Sequence, residues 1–333
     1  MSTTDAAPPL STPLVVGVDL GGTKMAAALV TADGALAGPL ASVPTPARSG
    51  PEAVLDAIAS VVDTVVSAGT HQAPGAPVAV SAVGVGSAGV VNVSTGTIVS
   101  ATDAITGWTG TSVATGVRSR LVAQGYGDMP VHVENDVDAY AGGEAWLGAG
   151  RDAGSVLVVA VGTGVGGSVV INGTTVRGAH YVAGEIGHVP APGAENEMCT
   201  CGRRGHLEAI AAGPQIHRRY LAAGGDPEVA NAFEVEQRAD AGDPIASLVY
   251  RDSAIALGKV LAGVVAVLDP ERVVLSGGLA RAGELWWAPL RETFRAELID
   301  PLADVPLVRA ELGTNAPIIG AARGALRLLG ATA

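Results

Sequence analysis

Cysteine is almost missing from this chain: there are two in 333 residues, Cys199 and Cys201, and both lie in one turn. One pair cannot form a disulfide framework, and such usage fits a reducing cytoplasm. Aromatic residues make up only 3% of a chain that is 48% hydrophobic, so the core must be built from Ala, Val, Leu and Ile. Lysine is as rare as cysteine: Lys24 and Lys259 are the only lysines among 20 basic residues, a bias of composition. Against those stand 32 acidic residues, and the net charge of −12 argues against nucleic acid as the main partner. Phosphate can still bind through backbone amides whatever the net charge. Residues 1–12 hold neither an apolar stretch nor a basic start, so no signal peptide is expected, and this polar tail is expected to be disordered. No membrane partner is expected. Residues 153–176 carry no charge and are long enough to cross a bilayer, but their centre reads "VGTGVGG" and "ING" follows. Two buried strands joined by a glycine turn fit better.

The length suggests two domains. "LVVGVD" is a continuous apolar run, as in a strand buried on both faces. "LGGTK" is a turn and "MAAALV" a returning strand. Residues 51–68 place apolar side chains at 54, 55, 58, 61, 62, 65 and 66, which predicts a helix opened by Pro51 and closed by Gly69. Another strand is expected over 77–86. The second half restarts the pattern: strand 155–161, turn "GTGVGG", returning strand "SVVING". Helices are expected over about 206–219 and 244–267. "RVVLSGG" (272–278) is a strand and glycine turn leading into a helix, and a last helix covers about 316–329. A supersecondary unit used twice predicts duplicated α/β domains facing each other across a cleft. The expected divisions are a tail (1–12), a first lobe (13–130), a second lobe (131–315) and a terminal helix (316–333) packing back on the first.

Two segments match G-x-G-x-x-G: Gly84-Gly86-Gly89 and Gly162-Gly164-Gly167. A dinucleotide site needs a helix directly after the turn, and here strand-like sequence follows both. The dinucleotide-binding reading is therefore rejected. A Gly- and Thr-rich hairpin turn can still expose successive N–H groups to anionic oxygens. "DLGGTK" offers Gly21, Gly22, Thr23 and Lys24, with Asp19 placed to hold Mg²⁺ through water. "GTGVGG" offers Gly162, Thr163 and Gly164, and "SGG" offers Gly277 and Gly278. Each alone is readable as an ordinary turn. Two at equivalent places in a duplicated fold, with a third nearby, favour a nucleotide cleft.

"VHVENDVDAY" sets Asn135 and Asp136 between a strand and a helix. Either residue is a natural N-cap. A carboxylate there is also placed to accept a hydroxyl proton during phosphoryl transfer. "MCTCGRRGHLE" (198–208) leaves three readings open for its cysteines: buried thiols, a redox pair, or half of a metal site. His188 and His206 lie close enough in sequence to complete a Cys₂His₂ zinc set with Cys199 and Cys201. They are equally readable as unrelated surface histidines.

Taken together, "VGVDLGGTKMAAALV", "VENDVDAYAGGE", "VAVGTGVGGSVVINGTTVRGA", "AGEIGH" and "CTCGRRGHLEA" resemble the ROK family of sugar kinases and repressors, in order and spacing from about 14 to 325. The resemblance implies an α/β fold of two actin/hexokinase-like, ribonuclease-H-type lobes with a central ATP and sugar cleft. It implies ATP-dependent, Mg²⁺-dependent phosphorylation of a hexose or N-acetylhexosamine at the 6-hydroxyl. Asp136 becomes the catalytic base, and Asn135, Glu185, His188 and Glu208 become sugar contacts, as does Asp136 itself. Thr102 and Asp103, beside Gly89, stand where the family has a sugar-binding loop, often with Asn. Asp138 replaces the family's usual Asn and is read as a first-turn helix residue. The family's zinc pattern is His…C-x-C-G-x-x-G-C-x-E, so the resemblance makes His188, Cys199, Cys201 and His206 the ligands of a structural zinc. His206 then stands where the family has a third cysteine. A homodimer or homotetramer is implied.

Glucose is the expected acceptor, followed by N-acetylmannosamine and N-acetylglucosamine, then fructose. Two other classes compete. The family's regulators carry an N-terminal helix-turn-helix of roughly sixty residues or more, whereas 13 residues precede the first strand here; a regulator lacking its DNA-binding domain is the minor alternative. A catalytically silent sugar binder would have no need of Asp136.

Overall fold

The computed structural model describes residues 13–70 and 79–331, so the expected tail over 1–12 and the first two residues of the strand expected over 77–86 lie outside the described residues. The chain divides into two compact units, Met1–Tyr140 with Pro317–Ala333, and Ala141–Ala316.

In the first unit, β1 (Leu14–Leu20), β2 (Lys24–Val30), β3 (Ala41–Pro44), β4 (Val80–Ser87) and β7 (Val131–Asn135) form a sheet of order β3-β2-β1-β4-β7. The hairpin β5 (Val90–Asn92) and β6 (Thr97–Ser100) forms a small separate sheet. β2 and β3 are antiparallel additions, while β4 and β7 are parallel to β1 and β4 in turn. Alternate residues of a strand face opposite sides. Val16, Val18, Val83 and Val85 join the core with Val54, Ile58, Val61, Val62 and Val65 of α1 (Pro51–Thr70). Gly17 and Gly84 face the other way. A β-carbon on Gly17 would sit 2.0 Å from the Ile318 carbonyl oxygen, and one on Gly84 1.8 Å from that of Ala321. Only glycine lets the last helix, Ala316–Leu328, lie that close to the sheet. The unit continues through α2 (Val113–Ala123) into α3 (Asp136–Leu147). It reaches Tyr140 rather than the expected 130 because β7 is hydrogen-bonded into its sheet.

The second unit repeats the plan. β8 (Ser155–Val161), β9 (Val165–Ile171), β10 (Thr174–Thr175), β11 (Arg272–Ser276) and β12 (Leu307–Arg309) take the order β10-β9-β8-β11-β12, with the same pattern of antiparallel and parallel pairs. The uncharged stretch 153–176 therefore forms strands, and among the described residues no helix is long and apolar enough to cross a membrane. The strand begins at Val165, so only Gly162–Gly164 of "GTGVGG" forms the turn.

The helix expected over 206–219 is two helices, α4 (Glu208–Ala211) and α5 (Gly213–Ala222). Ala212 between them is extended (φ −70°, ψ 146°), and Pro214 in the first turn of α5 offers no N–H to continue α4. α6 (Ala232–Asp240) leads to α7 (Pro244–Leu268), whose Asp243 cap accepts from the N–H groups of Ile245 and Ala246. After "SGG" comes a 3₁₀ turn, Leu279–Arg281, and then α8 (Glu284–Glu297). The terminal helix is α9 (Ala316–Leu328). Trp286, Trp287 and Phe294 of α8 supply much of the little aromatic bulk, packed with α7.

Candidate active site

In the first unit the turn between β1 and β2 is pinned from three sides. Gly21 N–H donates to the Lys24 carbonyl at 3.1 Å, the Thr45 hydroxyl to the Gly21 carbonyl at 2.7 Å, and Thr45 N–H to the Thr23 carbonyl at 2.9 Å. Lys24 is exposed, Gly22 half-buried, and a β-carbon on Gly22 would lie 3.3 Å from Ala104. Asp19, near the end of β1, is half-buried; burial pushes its carboxyl up to about 6, partly opposed by the Lys24 ammonium.

Asn135 is the N-cap of α3. Its Oδ1 accepts from Val137 N–H at 2.9 Å and Asp138 N–H at 3.2 Å, while its Nδ2 donates to the Gly89 carbonyl at 2.9 Å. Asp136 is thereby relieved of the main capping duty, although its Oδ1 also accepts from Val137 N–H at 2.9 Å. Burial pushes the Asp136 carboxyl up to about 7, helped by the charges of Asp19 and Asp138 and opposed by backbone N–H groups. Asp138 is a buried first-turn residue. Gly89 has φ +101°, and a β-carbon there would sit 2.8 Å from the Ser100 carbonyl, so it packs on the loop that follows β6. Buried Ile105 and Trp108 anchor that loop, with Trp108 Nε1 donating to the Ser87 hydroxyl at 3.2 Å. Thr102 and Asp103 are exposed on it.

In the second unit the Gly162–Gly164 turn is closed by Gly162 N–H donating to the Gly164 carbonyl at 2.9 Å, and Gly213 N–H donates to the Gly162 carbonyl at 2.8 Å. Gly277 has φ +88° and lies against Val161, and Gly278 N would be 3.7 Å from a β-carbon on Gly162. The two glycine turns thus stand side by side at the ends of β8 and β11. Beside them opens a cavity of about 680 Å³ lined by Gly162, Thr163, Gly213, Gly278, His217, Asn231, Phe233, Glu236, Tyr250 and Arg281. That volume suits a nucleoside. Gly162, Thr163 and Gly278 belong to the turns expected from sequence, whereas His217, Asn231, Phe233, Glu236, Tyr250 and Arg281 come from separated segments and follow no motif.

The four expected metal ligands converge. One atom each from His188, Cys199, Cys201 and His206 lies within 4.8 Å of the others. Cys199 Sγ is 3.7 Å from His188 Nδ1, and Cys201 Sγ is 3.2 Å from His206 Nδ1. Zinc bonds of about 2.3 Å to sulfur and 2.0–2.1 Å to nitrogen put tetrahedral ligand pairs about 3.3–3.8 Å apart; these two pairs stand close to that spacing, and the four donors are of the types zinc takes. Burial raises the Cys199 thiol. Burial also opposes charge on Cys201, but hydrogen bonds from the Arg203 backbone and Cys199 outweigh it and lower that thiol. His188 turns its other nitrogen, Nε2, toward the Glu185 carboxylate at 3.8 Å. Glu208 Oε2 accepts from Val165 N–H at 3.1 Å, and its Oε1 accepts from the Thr200 hydroxyl. Glu208 therefore ties the cysteine turn to the start of β9.

A family model described as the ROK family matches residues 15–327. A glucokinase of Streptomyces coelicolor is 34% identical over 330 residues, covering 93% of this chain and 96% of its own. An N-acetylmannosamine kinase of Escherichia fergusonii is 32% identical over 308 residues, covering 92% of this chain and 96% of its own. A crystal structure of a ROK family glucokinase from Streptomyces griseus in complex with glucose and AMPPNP superposes with a TM-score of 0.73 at 31% identity, covering 93% of this chain and 98% of the other.

Proposed function

Since the chain belongs to the ROK family and is a sugar kinase of actin/hexokinase-like fold, we propose that it transfers the γ-phosphoryl group of ATP to the 6-hydroxyl of glucose. The observation that carries this reading is Asp136: a half-buried carboxylate at a strand–helix junction, with its neighbour Asn135 capping the helix.

In the proposed reaction the sugar hydroxyl oxygen attacks the γ-phosphorus and its proton passes to Asp136. The bond from the γ-phosphorus to the bridging oxygen breaks, and ADP leaves with the electron pair. Backbone N–H groups of 22–24, 163–164 and 277–278 hold the phosphates, while Gly21 and Gly162 use their own N–H groups to close the turns. Asn135, Asp136, Glu185, His188 and Glu208 orient the sugar; carboxylates suit this because each oxygen accepts from hydroxyls. Thr102 and Asp103 are further contacts, with Gly89 setting their loop. Asp19 would hold Mg²⁺, and the mutual repulsion of Asp19 and Asp136 is what a divalent cation would relieve. When bound, that cation would supply charge neutralisation on the transferring phosphoryl group. His188, Cys199, Cys201 and His206 would hold zinc, whose contribution would be structural, keeping the ring of His188 oriented.

The glucokinase relatives favour glucose. The N-acetylmannosamine kinase relatives favour a second reading, with the N-acetyl derivative as acceptor, and the departure at Thr102 and Asp103 leaves the group at C2 as the point of difference. Self-association as a homodimer or homotetramer is part of the proposal, resting on the family resemblance. Cysteine usage supports a cytoplasmic setting. Coupled ADP release across glucose, mannose, fructose, N-acetylglucosamine and N-acetylmannosamine tests the reading: glucose should give the highest kcat/KM, and no turnover with any of them would overturn it.

A further inference from the structure

Both sulfur ligands of the proposed zinc set sit in one tight turn. Gly202 N–H donates to the Cys199 carbonyl at 3.0 Å, so Cys199 and Cys201 take the first and third places of a turn whose fourth residue, Gly202, has φ +83°. The turn brings the two sulfurs within 4.8 Å of each other. Cys199 is buried and Cys201 exposed, and the chain has no other thiol. The same turn touches two side chains that the proposed function makes sugar contacts. Thr200, between the cysteines, donates its hydroxyl to Glu208 Oε1, and Cys199 Sγ lies 3.7 Å from that oxygen. Cys199 Sγ is also 3.7 Å from His188 Nδ1.

From this we infer that Cys199 and Cys201 are a peroxide-sensitive dithiol, whose closure to a disulfide releases the metal and loosens the sugar site. The inference rests on the zinc ligands and sugar contacts of the kinase reading. The exposed Cys201 thiolate attacks one oxygen of hydrogen peroxide; the O–O bond breaks, hydroxide leaves, and Cys201 becomes a sulfenic acid. The Cys199 thiolate then attacks the Cys201 sulfur, forms the S–S bond and expels a second hydroxide. The two thiolates lose two electrons in all, the two peroxide oxygens gain them, and each hydroxide takes a proton from the buffer. One disulfide thus removes both anionic ligands, and His188 and His206 alone do not make up a four-ligand zinc site. His206, standing in place of a third cysteine, leaves no thiolate in reserve. On the sugar side, His188 loses the metal that orients its ring, and the ring closed through Cys199, Thr200 and Cys201 shifts the Thr200 hydroxyl against Glu208. An exposed disulfide of this kind yields to a dithiol reductant, so the change is reversible.

The test treats zinc-loaded protein with a modest molar excess of hydrogen peroxide. One zinc per chain should appear on a chromogenic chelator as both thiols disappear, and the intact mass should fall by two hydrogens relative to the reduced chain. The calorimetric Kd for glucose should rise at least about tenfold. A dithiol reductant with added zinc should reverse all of these changes. Cys201→His keeps four ligand side chains but cannot form the bond, so it should hold its zinc and its glucose affinity through the same treatment. The wild-type mass and zinc readings decide the matter should that variant bind no zinc. If reduced protein phosphorylates no sugar while zinc release and disulfide formation proceed together, the kinase reading fails and the dithiol stands. Protein that takes up no zinc, that keeps its zinc and both thiols under peroxide, or that ends with a sulfinic acid on Cys201 and no disulfide overturns the inference. An unchanged glucose Kd after full zinc release overturns the coupling to the sugar site.

Discussion

Replacing Asp136 with Asn should abolish phosphoryl transfer and, above neutral pH, stabilise the fold. The carboxyl titrates near 7 in the folded protein against an ordinary 3.8. The folded state therefore holds the proton more tightly than the unfolded chain. Stability from this group is fully present below about 3.8 and is lost as pH rises through about 7. At 1.36 kcal/mol per pH decade, carrying charge on Asp136 costs the fold about 4 kcal/mol at pH 8 and under about 2 kcal/mol at pH 5. Asn mimics the protonated form, and its side-chain oxygen can still accept from Val137 N–H, the 2.9 Å bond made by Asp136. The variant's advantage should thus grow by about 2–3 kcal/mol between pH 5 and pH 8. Urea unfolding of both proteins at the two pH values, with chelator and without sugar or nucleotide, measures this directly. Activity should fall by at least about a thousandfold. A stability difference that does not change with pH, or a variant less stable than wild type at pH 8, would refute the account of Asp136 as a carboxylate strained by burial.

Three further outcomes are expected. Asp136 must be ionised to accept a proton, so kcat/KM should decline as pH drops below about 7, and a flat profile from pH 5 to 8 would contradict the base assignment. Freshly purified protein should carry one zinc per chain by elemental analysis; His206→Ala should weaken retention by at least about 100-fold and His206→Cys should restore it, whereas metal-free wild type would overturn the site. Gly84→Ala should cost about 3 kcal/mol or more in chemical unfolding, because the new methyl would lie 1.8 Å from the Ala321 carbonyl. An unchanged midpoint would show that α9 does not pack there as described.

Much of the fold was legible because apolar runs and glycine turns repeat. "LVVGVD" and "SVLVVAV" announce β1 and β8, and the two sheets share one strand order. The 51–68 periodicity identified α1, whose apolar face is buried. Local sequence left Asn135 and Asp136 as equal capping candidates; only the hydrogen bonds assign the cap to Asn135. The break at Ala212 is marked locally by Pro214, but the reading of one helix over 206–219 passes over it; Gly213 then turns its N–H to the Gly162 carbonyl, 2.8 Å away. The nucleoside cavity was not legible. His217, Asn231, Glu236, Tyr250 and Arg281 share no spacing, and tertiary packing alone brings them together. The cysteine turn is the reverse case: residue type and neighbourhood made His188, Cys199, Cys201 and His206 candidates, the resemblance to the ROK family made them a set, and the fold brings one atom of each within 4.8 Å of the others.

The most direct measurement is product analysis by phosphorus NMR and mass spectrometry after incubating the protein with glucose, ATP and Mg²⁺, beside Asp136→Ala. The account predicts glucose 6-phosphate and ADP in equal amounts from wild type, and neither from the variant, which should still bind glucose. Product from the variant at the wild-type rate, or ADP released without a phosphorylated sugar, would contradict it.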